Sequence, residues 1–179
     1  KSFLATNDNY ALIFEDDAII PSDLSIDTLE KELKKIKLPQ NTLFSLGGIQ
    51  MKESRKVRGS LKERKFFKKA ILEVHPHFYN RVNYAVAYIV DREMAQTLVE
   101  YHQRHRKADD WSYLFDFNDQ SHILMTFLID HPEITAGEIN TQLSSIEAER
   151  SKYEDLPQSQ YGNSLGYNLA KLRYKTYPL

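Results

Sequence analysis

The chain has 179 residues, 41% of them hydrophobic, with 24 Lys and Arg against 25 Asp and Glu and no cysteine. That suffices for one domain with a core. It excludes a disordered tail, a disulfide scaffold and a thiolate metal site, and the formal charge of −1 gives no global electrostatic case for nucleic acid. Tyr10 to Phe14 is an apolar run that reads as a buried strand and leads straight into Glu15, Asp16 and Asp17. Pro21-Ser22-Asp23 is a turn, and Ser25 or Asp27 caps a helix from Ile26 to Lys37 with Leu29, Leu33 and Ile36 on one face. Thr42 to Leu46 reads as a second strand ended by Gly47-Gly48. Residues 52 to 69 are polar and basic and predict a loop or mobile segment. Ala70 to Val74 predicts a short strand, interrupted by His75-Pro76-His77. Val82 to Val90 is rich in Val, Ile and Tyr and predicts a strand. A helix from Arg92 to Arg104 follows, with Met94, Leu98 and Tyr101 apolar. Asp109-Asp110-Trp111 opens an aromatic run through Phe117. Ser121 to Ile129 fits a strand or a short helix, residues 140 to 166 look loop-like, and Leu165 to Tyr174 predicts a last short helix. The alternation of strands and helices indicates an α/β layered fold.

Glu15, Asp16 and Asp17 carry the strongest chemical signal. Three adjacent carboxylates at a strand end repel one another unless a cation sits there. In extended geometry Glu15 and Asp17 share one face and Asp16 takes the other. Two carboxylates at the edge of a buried sheet suit a hard divalent cation, and ligands of open α/β sheets collect at the carboxyl ends of strands. The plainer alternative is an acidic strand exit that is merely solvated.

Asp109-Asp110-Trp111 is the second acid pair. A carboxylate beside an aromatic wall suits sugar binding, and the same acid suits a general base. The alternative is a turn-forming Asp with Trp111 in the core. His75 and His77 form a His-x-His pair with nothing nearby to complete a metal site, and His131 is a lone histidine before a turn. Lys52 to Lys69 fits phosphate, anionic lipid or an anionic acceptor as well as it fits a solvated loop. Lys171, Arg173, Tyr174, Lys175 and Tyr177 place bases among aromatics, which suits a membrane surface or an ordinary domain end.

In this order the pieces resemble glycosyltransferase family 25, which includes bacterial lipooligosaccharide β-1,4-galactosyltransferases and collagen galactosyltransferases. The resemblance rests on Ala11 to Asp17, like the family's apolar strand leading into Glu-Asp-Asp, and on Tyr84 to Val90 with the helix from Asp91 to Leu98. Asp110-Trp111-Ser112-Tyr113-Leu114-Phe115 is similar to its Val-Asp-Trp segment, and Ser144 to Arg150 resembles a Ser-x-Ile-Glu-x-x-Arg signature. It covers roughly residues 5 to 150.

The resemblance implies one glycosyltransferase domain over residues 1–179, with a GT-A-like mixed sheet flanked by helices. Family members carry a long segment ahead of the Glu-Asp-Asp strand, whereas fourteen residues precede Glu15. The expectation is therefore an N-terminally truncated domain without its first nucleotide-binding strand, and inactive as it stands. The implied reaction is metal-dependent, inverting transfer of a hexose from a UDP-sugar to a saccharide or glycolipid acceptor of lipooligosaccharide or surface polysaccharide synthesis, with UDP-galactose ahead of UDP-glucose. Mn²⁺ or Mg²⁺ would sit at Glu15 and Asp17, with Asp16 completing the donor-binding segment. Asp110 would be the base, and Trp111 and Asp109 would contact substrate. The expected location is cytoplasmic, with peripheral contact at the inner face of the membrane. The competing readings are a metal-dependent phosphoesterase using the same acids and a non-catalytic carbohydrate-binding domain built on Trp111.

Overall fold

The structure, a computed structural model, describes residues 2–48, 54–82, 85–104, 106–132, 157–162 and 165–178. Seven strands form one mixed sheet: β1 (Tyr10–Phe14), β2 (Thr42–Ser45), β3 (Arg58–Leu61), β4 (Leu72–Val74), β5 (Ala87–Asp91), β6 (His122–Met125) and β7 (Lys175–Thr176). Their spatial order is β1-β5-β2-β6-β4-β3-β7. Among the described strands only β2 and β6 pair in parallel; the other pairings are antiparallel. Hence β1, β2, β3 and β6 all run the same way and end at the same edge of the sheet.

Among the described residues the α-helices are α1 (Ile26–Ile36), α2 (Arg92–Tyr101), α3 (Leu114–Phe117) and α4 (Leu165–Arg173). Helix α1 begins where predicted because Ser25 and Thr28 form a reciprocal capping box, which satisfies two amide donors that the first turn leaves orphaned. Asp27 near its start and Lys34 and Lys35 near its end suit the helix dipole. It stops at Lys37, whose φ of 48° is left-handed, just ahead of Pro39.

Side-chain alternation sorts the core onto the two faces of the sheet. Phe44, Ile89 and Leu124 pack with Leu29, Leu33 and Ile36 of α1. Leu43, Val90, Ile123 and Met125 face the other way, against Met94 and Tyr101 of α2, Leu114 of α3 and Ala170 of α4. Each such buried Leu, Ile, Val, Phe or Met side chain contributes roughly 1.5–3 kcal/mol of hydrophobic stabilisation. Asp91 ties the central elements together. Its Oδ1 accepts from the Met94 amide at 2.7 Å and caps α2, while Oδ2 accepts from the Thr42 amide at 3.0 Å. Burial pushes the Asp91 carboxyl up, against the opposing pull of backbone amides.

The basic stretch departs from expectation. Arg58–Leu61 is a strand of the sheet, and Phe66 and Lys69 close a hairpin through two backbone hydrogen bonds. Charge dominates this composition, yet two apolar anchors, Val57 and Phe66, are both 0% exposed, and they suffice to pin the segment down. Gly59 sits where an added Cβ would meet the Glu73 carbonyl oxygen at 1.9 Å, so β3 and β4 pair closely only because this residue lacks one. The C-terminal tyrosines also turn inward. Tyr174 packs on His75 with ring centroids 4.4 Å apart, and Tyr177 on Phe127 at 4.6 Å. Ser121 to Ile129 resolves to strand β6, and Ser144 to Arg150 lies outside the described residues.

Replacing Asp91 with Ala removes a helix cap and strands the buried Thr42 amide. The expected loss is about 2–4 kcal/mol, read from the denaturant midpoint. Asp91→Asn, which keeps an acceptor oxygen, should lose clearly less; an equal loss would mean that the charge, not the hydrogen bonds, matters.

Candidate active site

The site grows from the end of β1. The Glu15 amide donates to the Val86 carbonyl at 3.0 Å, extending the β1–β5 pairing by one residue, and the Ala18 amide donates back to the Glu15 carbonyl at 3.2 Å. Asp16 and Asp17 thus occupy the middle of a tight turn, where short acidic side chains are favoured. Immediately beyond, Ile19 and Asp130 form an isolated antiparallel bridge, with the Ile19 amide donating at 2.8 Å and the Asp130 amide at 3.2 Å. This pairing sets His131 beside Asp17.

The result is a three-residue cluster. One ligand atom each from Glu15, Asp17 and His131 lies within 4.8 Å of the other two. His131 Nε2 stands 2.9 Å from Asp17 Oδ2, and Nδ1 stands 2.8 Å from the Pro132 carbonyl oxygen. Both ring nitrogens therefore lie within hydrogen-bond distance of an oxygen. Burial raises the Glu15 carboxyl above its ordinary range, with Asp17 adding to the rise, His131 opposing it, and Asp109 and Asp16 contributing further. Ligands of a small divalent ion lie at about 2.0–2.2 Å from it, so opposite ligands stand about 4.2 Å apart. The spacing within the cluster is of the size that such an ion spans. Carboxylate and imidazole donors together suit Mn²⁺ better than Mg²⁺, which prefers oxygen and water.

Of the sequence candidates, the structure brings Glu15 and Asp17 into the cluster and leaves Asp16 out of it, although its charge still bears on Glu15. Asp109 lies close enough for its charge to act on Glu15. Asp110 uses Oδ1 to accept from the Ser112 amide at 3.1 Å and the Ser112 hydroxyl at 2.6 Å, while its carbonyl accepts from the Tyr101 hydroxyl at 2.8 Å. Trp111 is 2% exposed and offers no open face for a sugar to stack on. Its ring instead stands edge-on to Tyr88, at 6.1 Å, and to His102, at 6.0 Å. Tyr88, opposite Ile13 in the β1–β5 register, lies close enough to respond to the acids: burial and the Glu15 charge both raise its phenol.

His131 and Tyr88 are the residues that sequence reasoning did not assign. No local signal marks His131, because the Ile19–Asp130 bridge that recruits it joins distant parts of the chain. Tyr88 was detectable in principle from strand alternation, once β5 is paired with β1.

Glu15→Gln tests the repulsion. A carboxyl whose folded pKa is raised binds its proton more tightly in the folded state, so its ionisation costs stability above that pKa and nothing at pH values below the unfolded one. Without metal, the variant should therefore show a higher Tm than the parent at neutral pH, and the gap should close as pH falls toward about 4. A gap that stays constant with pH would show that the carboxylate charge is not the cause.

The described residues contain no helix long and apolar enough to cross a membrane. Comparison with the curated proteins and with the solved structures gives no match. The sequence model of glycosyltransferase family 25 (LPS biosynthesis protein) matches residues 1–113, a span that takes in β1, the acid turn, β5, Asp109 and Asp110. With well over half of its length matched in this way, and with an α/β mixed sheet of GT-A-like form, the chain belongs to glycosyltransferase family 25 and is a glycosyltransferase of the lipopolysaccharide-biosynthesis type.

Proposed function

We propose that this glycosyltransferase moves a hexose from a UDP-sugar to a hydroxyl of a saccharide acceptor, inverts the anomeric centre, and uses Glu15, Asp17 and His131 to hold Mn²⁺ or Mg²⁺. The observation that carries the reading is the cluster of two carboxylates and one imidazole at the carboxyl end of β1. Galactose as the sugar is supported by the family resemblance alone. A divalent cation at this cluster would supply Lewis-acid compensation for the charge of a departing diphosphate.

The protein's own groups have separable tasks. Glu15 and Asp17 fix the donor end at the sheet edge, and Tyr88, backed by Trp111, walls it on one side. An acceptor hydroxyl attacking an anomeric carbon has to lose a proton, and a positioned carboxylate is the usual recipient. Asp110 suits this part: Ser112 fixes its Oδ1, and among the described residues Oδ2 accepts no hydrogen bond. Asp109 is its rival, because its charge reaches Glu15. Peripheral contact with a membrane would fall to α4, which exposes Leu165, Leu169 and Leu172 beside Lys171 and Arg173.

The reading is tested by thermal shift with UDP, with and without Mn²⁺. UDP and Mn²⁺ together should raise Tm, and Asp17→Asn and His131→Ala should each remove the rise while keeping the metal-free Tm close to the parent's. Unchanged protection in both variants would place the cation elsewhere.

For the base, Asp110→Asn should lower kcat by roughly 10²–10⁴ with UDP-sugar binding intact, and Asp109→Asn should be much milder. The reverse ranking would give the role to Asp109, and loss of donor binding in Asp110→Asn would make that residue a donor ligand.

A further inference from the structure

A second feature opens at the same end of the sheet. A cleft of about 530 Å³ lies between the hairpin that follows β3 and the C-terminal segment, lined by Lys62, Lys65, Lys68, Lys69, Phe127 and Tyr177 among others. Lys62 is matched by Glu73 at 2.5 Å. Lys65, Lys68 and Lys69 are exposed, and among the described residues no acid or acceptor engages their ammonium groups. Three uncompensated cations thus border one concave surface.

The backbone that presents them is unusual. The amides of Phe66 and Lys69 donate to each other's carbonyls at 3.0 and 2.9 Å, and the two residues between them, Phe67 and Lys68, both have positive φ, 47° and 64°. That is the pattern of a type I′ hairpin turn, which strongly prefers Asn-Gly. Strained residues persist where the surroundings over-determine them, and they cluster at ligand-binding positions. Here Phe66 supplies the anchor: it is fully buried, edge-on to Phe44 at 5.1 Å and to Phe67 at 4.9 Å. The tip therefore holds Lys68 and Lys69 from a fixed backbone. Across the cleft, Tyr177 is fixed as well, by Phe127 and by a 3.2 Å hydrogen bond between its hydroxyl and that of Thr126.

We propose that this cleft binds the anionic part of the acceptor, a saccharide bearing a phosphate group, with Lys65, Lys68 and Lys69 on the phosphate and Tyr177 against a sugar ring. Ammonium groups to phosphate oxygens make charge-assisted hydrogen bonds, stronger than neutral ones, and an aromatic ring covers the apolar face of a pyranose. The location fits an acceptor, since β1, β3 and β6 end at the same edge. Phe127 of the cleft and His131 of the metal cluster are four residues apart, so their Cα atoms are at most about 14 Å apart. A concave surface with an aromatic side suits a saccharide better than a flat bilayer. The proposal rests on the glycosyl-transfer reading only in calling the ligand an acceptor; its binding is measurable without any donor.

The test is calorimetric titration of the whole chain with maltotriose, maltotriose carrying one phosphate monoester, and inorganic phosphate, alongside co-sedimentation with phosphatidylglycerol vesicles. The phosphorylated trisaccharide should bind about tenfold or more tightly than either maltotriose or phosphate, a difference that salt reduces. The triple variant Lys65→Ala, Lys68→Ala, Lys69→Ala should lose that advantage with Tm unchanged. Lys68→Gly should raise Tm, because glycine takes the left-handed position without strain, and yet weaken binding. Equal binding of the two trisaccharides, or a triple variant that binds like the parent, would overturn the proposal. So would phosphate alone binding as tightly as the phosphosaccharide, which marks an anion site only, or lysine-dependent vesicle binding without saccharide binding, which marks a membrane face. Phosphosaccharide binding in a protein that UDP and Mn²⁺ fail to protect would sink the transfer reading and leave this cleft standing; protection without phosphosaccharide binding would do the reverse.

Discussion

Two backbone hydrogen bonds, between Ile19 and Asp130, hold the candidate site together. Without them the turn after β1 would carry Glu15, Asp16 and Asp17 into solvent with nothing opposite. With them, the segment leaving β6 is pinned alongside, and an imidazole stands against the acids. The geometry also depends on β2 and β6 pairing in parallel, because only a strand running the same way as β1 can deliver its following segment to the same end of the sheet. Sheet direction and one short bridge therefore convert a repulsive acidic turn into a set of donors.

The site end carries charge of both signs, which the near-zero net charge conceals. Acids gather beside β1 and lysines beside β3. Five strand spacings of about 4.8 Å separate those two strands, roughly 24 Å, whereas salt screens exposed charges over about 8 Å in physiological solution. The two patches therefore do not neutralise each other. Each can hold a ligand of its own charge preference: a cation with whatever it bridges at the acids, an anion at the lysines.

How much of this could be read from the sequence varied with the kind of signal. Helix α1 was legible almost to the residue, because its apolar spacing, its Ser25 cap and Pro39 agree with one another. Strands β1 and β2 were legible from continuous apolar runs, although β1 lies at an edge of the sheet with Tyr10 and Phe14 exposed rather than buried, and the strand expected from Val82 begins only at Ala87, as β5. Strand β3 was not: Arg58, Ser60 and flanking lysines mask its pairing, and the anchoring residues Val57 and Phe66 are too isolated to show a period. The turn at Phe67-Lys68 carries no Gly or Asn to announce it. Within the site, the spacing of Glu15 and Asp17 was visible, whereas His131 became relevant only through tertiary pairing. Trp111 takes the core alternative that its sequence context also allowed, and Tyr88 is an aromatic that responds to the Glu15 charge.

The strand order has a further consequence for how the chain reaches this state. Among the described strands only β3 and β4 are neighbours both in the sheet and along the sequence; each of the other pairings closes a long loop. Such topologies fold slowly, because loop-closure entropy is lost before the contacts that compensate it form. Among the described strands β1, with the run Tyr-Ala-Leu-Ile-Phe, pairs with β5 alone, so that pairing waits until β5 has emerged. An apolar strand awaiting so distant a partner is the kind of segment through which nascent chains associate. Yield on expression should therefore depend on temperature and chaperone supply more steeply than the stability of the finished fold alone would suggest.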